Sequence, residues 1–325
     1  MSGLTGPGTW LGVTRGGRLA VLTNYREESS AAAMSVRSRG AVVTAFLTAA
    51  PSATDEWVRT ARASSELAGA GGFSMLCGTL RPGHGPGANL EPLAVVSNRP
   101  ARRPADPADG TANGDDDDGD DDAGLERTVH WVAGRKGETG GLSNSLWDRP
   151  WPKVELGEQL LADAVARAVA RPGGTPEPEL VELCFGVLSH DTLPRFSGSD
   201  TYRRELDALR SSIFIPPFAV ASEPAVQLPS TPSPAHTSGP GQQQSPLADA
   251  ATSPMEDADM SDGERERWRH SPRLYATAQQ TVILVDARGR LKYVERTLYD
   301  REARPLATAR DVTVEFAIEG WPAAS

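Results

Sequence analysis

The sequence predicts an α+β domain in which antiparallel sheets are covered by helices. Three observations carry that prediction. Alternating, Gly-punctuated segments early (9–23) and late (281–298) in the chain read as β-hairpins. Between them, residues 153–188 carry apolar side chains at helical spacing. Two further stretches, 100–127 and 219–268, hold too few large apolar residues to build a core and read as disordered insertions. Hairpins, then helices, then hairpins fit one domain over residues 8–318.

In the first hairpin, residues 9–14 and 18–23 flank Arg15-Gly16-Gly17, whose glycines supply the positive φ of a tight turn. Residues 41–48, with Val42, Val43, Phe46 and Leu47, form a short apolar element. A helix is expected over 55–67, entered after Pro51-Ser52 and ended by Gly69. Strands follow at 73–80, 92–97 and 128–133. After Pro152, the residues Leu156, Leu160, Leu161, Ala164, Val165, Ala168 and Val169 mark one helix face. Glu155 and Glu158 sit in its first turn and Arg167 and Arg171 in its last, as the helix dipole prefers. Pro172-Gly173-Gly174 stops it, and a second helix is expected over 178–188. Residues 211–218 are a short apolar anchor. In the second hairpin, Leu291, Tyr293, Glu295 and Thr297 alternate against Lys292, Val294 and Arg296, and a last strand is expected at 311–318.

Composition narrows the function classes. The chain has 32 Gly, 26 Pro and only 38% hydrophobic residues among 325, which favours long loops. Its formal charge of −10 is concentrated in the Asp run between Asp106 and Asp122. The remainder is nearly neutral, so binding of nucleic acid through a basic face is not expected. Cys77 and Cys184 stand in separate apolar runs and read as reduced thiols of an intracellular protein. No apolar run reaches the roughly 18–20 residues of a membrane span. The five His are scattered and neither Cys has a CxxC partner, so no metal site is expected. There is no phosphate-cradling Gly loop with a Lys, and no G-x-S-x-G elbow. His130, beside Trp131, reads as a packed edge histidine. Trp10, Trp147 and Trp151 read as core and turn packing.

The most constrained stretch is 141–154, Gly-Leu-Ser-Asn-Ser-Leu-Trp-Asp-Arg-Pro-Trp-Pro-Lys-Val. Two Pro fix φ, remove two N–H groups and push their predecessors to extended conformations. A stiff turn results, which presents Ser143, Asn144, Ser145 and Asp148 in fixed directions before a helix. This run resembles the Gly-Leu-Ser-Asn … Pro-Trp-x-Lys signature of the NRDE family, the transport and Golgi organisation protein 2 group. Gly8-Thr9-Trp10-Leu11-Gly12, Leu22-Thr23-Asn24-Tyr25-Arg26-Glu27, Ser38-Arg39-Gly40, Ser97-Asn98-Arg99 and Thr281-Val282-Ile283-Leu284-Val285-Asp286 occur in the family's order.

The resemblance implies an α-β-β-α sandwich like that of the N-terminal-nucleophile hydrolases. It implies an intracellular role in Golgi organisation, secretion or homeostasis, in the cytoplasm with Golgi or mitochondrial association. Haem or an acyl-lipid is the implied cargo, and no resident cofactor is expected. A small amphipathic ligand is expected in a cleft near Asn144, whose amide resembles an oxyanion donor. Ser143, Asn24, Arg26, Arg39 and Asn98 are the other candidate ligand-binding residues. A turn-fixing role is the competing reading for Asn144.

The alternative function is hydrolysis of a C–N amide bond by an N-terminal thiol, with the α-amine as base. Family members begin Met-Cys and carry Asn-Arg-Asp-Glu ahead of Gly-Thr-Trp-Leu-Gly, whereas here Ser2 follows Met1 and Gly8 arrives at once. The expectation is therefore an N-terminally incomplete domain without a nucleophile, and not an enzyme as given. Ala276 and Ala278 also stand where relatives carry Gly and Arg.

Overall fold

The computed structural model describes residues 8–26, 38–50, 52–63, 67, 69–84, 90–99, 129–194, 204, 207–219, 274–300 and 304–322. The expected insertions at 100–127 and 219–268 lie outside these residues, except for residue 219.

Five antiparallel strands form the larger sheet in sequence order: β1 (Leu11–Val13), β2 (Arg18–Asn24), β3 (Phe73–Thr79), β4 (Leu93–Ser97) and β5 (Val129–Val132). Each strand shows two faces, because successive side chains point oppositely. Ala20, Leu22, Met75, Cys77, Ala94 and Val96 form the outer face. Two helices, α1 (Arg39–Thr48) and α2 (Thr54–Ala63), cover it with Val42, Val43, Phe46, Val58 and Ala61. The apolar element expected at 41–48 is thus helical. A short continuous apolar run does not by itself distinguish helix from strand, and here the ten residues of α1 bury Gly40, Ala41, Val42, Val43 and Phe46.

Leu19, Leu76, Leu93 and Val132 on the other face meet a second sheet through Ile283, Val285, Leu291, Tyr293 and Phe316. That sheet has the order β10-β9-β8, from β8 (Gln279–Val285), β9 (Arg290–Tyr299) and β10 (Pro305–Ala317). The β8–β9 turn is fixed by Asp286, whose Oδ1 accepts the N–H groups of Arg288 and Arg290, both at 2.9 Å. The last strand begins earlier than expected, at Pro305, with an irregular register before Arg310.

The outer face of this second sheet is covered by α4 (Glu177–Leu188), whose Val181 and Phe185 pack on Val282 and Val294. Beside α4 runs α3 (Pro152–Ala170). The layers therefore run helix, sheet, sheet, helix. A minor pair, β6 (Phe218–Ala219) and β7 (Leu274–Tyr275), ties the 211–219 segment to the strand entering β8.

One expectation fails on α3. Val165 and Val169, counted on its apolar face, are 46% and 78% exposed. Only Val154 and Ala164 are buried, because α3 leans on α4 along one edge rather than lying flat on a sheet.

Candidate functional site

The stiff turn after β5 folds back over one end of the larger sheet. At that end the layer between the sheets is polar, and hydroxyls fasten the turn to it. Thr23 Oγ1 donates to the carbonyl of Ser143 at 2.8 Å and Ser74 Oγ to that of Ser145 at 3.0 Å. The Ser143 and Ser145 hydroxyls, both buried, share a 2.8 Å hydrogen bond. The Arg26 N–H donates to the Asn144 carbonyl at 3.1 Å. Each of these bonds satisfies a polar group that burial would otherwise penalise, so the turn is held in one position.

The six candidates gather at this end in two groups. Asn24, Arg26, Ser143 and Asn144 meet where β2 ends against the turn. Asn24 Oδ1 is buried without a hydrogen-bond partner. The Asn144 side chain makes no hydrogen bond among the described residues. Asn98 and Arg39 instead grip the loop before β3. The Asn98 amide accepts the Phe73 N–H at 2.9 Å and donates to the carbonyls of Leu67, Ala70 and Gly71 at 3.0–3.2 Å. The Arg39 guanidinium lies so close to Gly71 that an added Cβ there would come within 2.3 Å of it. Asn98 thus holds backbone, and Arg39 lies along it.

The space next to the turn opens on its other limb. A half-open cavity of about 460 Å³ is lined by Gly140–Leu142, the first turns of α3, the flank of α4, Ile213 and β8. Its walls are largely apolar, with Leu142, Val154, Leu161, Val187, Leu188 and Val282 among them. A side chain at position 141 would block it from the turn side, since an added Cβ would lie 2.8 Å from Val154 Cγ1. The polar groups of the lining are few: Lys153, Glu158, Thr281 and the Cys184 thiol. Burial lowers the Lys153 pKa and raises that of Cys184, so the cavity disfavours charge on both. Lys153 lies over Trp151, its Nζ 5.3 Å from the ring centroid, and Arg210 lies 5.4 Å from the same ring. Few polar groups in an apolar concavity of this size suit a small ligand that is itself mostly apolar.

The profile of the Transport and Golgi organisation 2 family matches residues 3–300. The chain belongs to that family. It is similar to the transport and Golgi organization protein 2 homologues of Bos taurus (30% identical over 184 residues) and Homo sapiens (28% over 184). Each of these matches covers 57% of this chain and 51% of the relative. A Mus musculus homologue is 28% identical over 179 residues, covering 54% of this chain and 50% of the relative. The chain thus spans about half the length of the relatives it matches.

Membership of the Transport and Golgi organisation 2 family agrees with the motif blocks, and the structure gives several of them physical roles. The Thr9 N–H donates to Gly40 O, joining the first block to the block at Ser38. Sequence reasoning singled out the turn but missed the cavity and Lys153. The signal was present, since Lys153 closes the Pro-Trp-x-Lys run. Arg18 was also missed. It is buried and donates to the carbonyls of Phe46 at 2.7 Å and Ala50 at 2.9 Å, clamping the end of α1. No helix among the described residues is long and apolar enough to cross a membrane.

Proposed function

We propose that this domain binds a small amphipathic ligand, with its apolar part in the cavity between the turn, α3, α4 and β8. Through that ligand it acts in intracellular trafficking or homeostasis, a reading supported by relatives named for transport and Golgi organisation. The observation that carries the reading is an apolar cavity of about 460 Å³ walled by the most constrained turn of the chain. Cavities of about 300–1,000 Å³ with few convergent polar groups are typical ligand sites. An acyl chain suits this lining better than haem. No His or Met lines the cavity, and burial keeps the Cys184 thiol protonated, which makes it a poor axial ligand.

The test is titration with dansyl-undecanoate, read by fluorescence, on the wild type and on Leu161→Trp. Leu161 lines the cavity and is only half-buried, so a larger ring has room to fill the space. Wild type should bind, and the variant should lose binding while its thermal midpoint holds. Equal binding by both proteins, or none by the wild type, would refute the site.

A further inference from the structure

We propose that Lys153 holds the polar end of the ligand covalently and reversibly, as an imine with an aliphatic aldehyde. The proposal rests on the cavity reading above and adds its chemistry. Lys153 is half-buried in the first turn of α3 and lines the apolar cavity. Among the described residues, no carboxylate pairs with its Nζ. The groups around it are Glu158 on its own helix, Cys184 on α4, and Trp151 and Arg210 on the flanking segments. Burial disfavours an ammonium there, and the positive end of the α3 dipole acts in the same direction. A lysine whose ammonium form is disfavoured by burial is a better nucleophile for carbonyl carbon than a fully solvated one.

The contrast within the chain is sharp, because it contains three lysines: Lys136, Lys153 and Lys292. Lys292 is locked as an ammonium by Glu177 and Glu315, each at 2.8 Å, which raise its pKa. Lys136 is exposed in a turn and does not line the cavity.

In the step, the Lys153 amine nitrogen adds to the aldehyde carbon and a proton moves from nitrogen to oxygen. The resulting carbinolamine loses water to leave a C=N bond. No electrons are exchanged, and hydrolysis reverses the step.

The experiment treats the protein with decanal and cyanoborohydride, which reduces an imine to a stable decyl amine, and maps the labelled peptides. In parallel, decanal and decanol each compete with dansyl-undecanoate for the cavity. The proposal expects both to displace the probe and most of the label to lie on Lys153, several-fold above Lys136 and Lys292. Lys153→Arg should still release the probe to decanol but lose that label. Label spread evenly over the three lysines overturns the proposal. Displacement by decanol with no label at Lys153 overturns the imine and leaves the cavity reading standing. If neither compound nor probe binds, the cavity reading falls and the imine with it.

Discussion

One outer face of the sandwich is covered by the pair α1 and α2 and the other by α4 with α3 at its edge, and the two are sealed by different chemistry. Under α1 and α2 the seal is apolar. Phe46, Phe73, Met75 and Cys77 are essentially inaccessible, and burial pushes the Cys77 thiol up to about 12. Under α4 the buried apolar residues are few, and an ion-pair lattice surrounds them. Lys292 and Arg290 pair with Glu177 and Glu315, and Arg296 pairs with Glu182 at 2.6 Å and Asp311 at 2.8 Å. The Arg296 guanidinium also lies 3.9 Å from the centroid of the Phe185 ring. Close packing leaves no room on the first face, whereas charged side chains at the rim of the second support a helix without filling the space behind it. The cavity lies in this second half. None of the ion-paired residues lines it, so the lattice and the cavity are neighbours on α4 and not one device.

The largest expected effect comes from breaking the apolar seal. Phe46 is 1% exposed, meets Trp57 edge-on at 4.9 Å and lies 5.0 Å under the Arg18 guanidinium. Phe46→Ala should cost about 3–5 kcal/mol in urea unfolding, from lost transfer free energy and the void left behind. A loss below about 1 kcal/mol would mean that this face is not a packed core.

The ion-pair seal should respond to acid, and each local change should be smaller. Glu182 and Asp311 have their pKa values lowered chiefly by hydrogen bonds from Arg296, and Glu177 and Glu315 by hydrogen bonds from Lys292. A carboxyl with a depressed folded pKa stabilises the fold above its unfolded value, about 4, and the contribution disappears as pH falls through the folded value. Stability from this lattice should therefore be intact at neutral pH and fade below about pH 4. Amide exchange should quicken in α4 before it does in α1. The lattice is partly solvated, with Arg296 at 18% and Asp311 at 35% side-chain exposure. A double-mutant cycle of Arg296→Met and Asp311→Asn should accordingly return only about 1 kcal/mol of coupling. Simultaneous acid loosening of both helix pairs would erase the distinction between the two faces.

The asymmetry was only partly legible in the sequence. The hairpins were readable because alternation and turn chemistry are local: Gly17 and Gly289 adopt φ of +83° and +74° where the turns need them. Helices α3 and α4 were readable from period alone, but the exposure of Val165 and Val169 was not. Periodicity marks which side is apolar and says nothing about how much of it a neighbour covers. Lys292 and Arg296 appeared as the polar side of an alternating strand, as they are, but their partners Glu177 and Glu182 lie on a helix far upstream. The same limit applies to the site. The rigidity of the turn follows from its prolines, whereas the cavity beside it depends on Thr281 and Val282 of β8. Asn98 looked like a ligand residue because Asn after a strand carries a free amide in isolation, and only the folded loop reveals four backbone partners for it.

The smallest expected effect lies in the layer that the two halves share. Ala133, directly after β5, packs against the cluster between the sheets and has φ of +59°, the left-handed region. That conformation costs a non-Gly residue about 1–2 kcal/mol. Ala133→Gly relieves the strain, and the greater freedom of Gly in the unfolded chain returns about 0.5–1 kcal/mol of the gain. A net stabilisation of about 0.5 kcal/mol should remain, seen as a higher urea midpoint at unchanged m-value. Because both sheets rest on this layer, exchange protection in α1 and α4 should rise together. A gain confined to one helix pair would show that the halves unfold separately, and a loss would show that the Ala133 methyl fills space the backbone strain exists to reach.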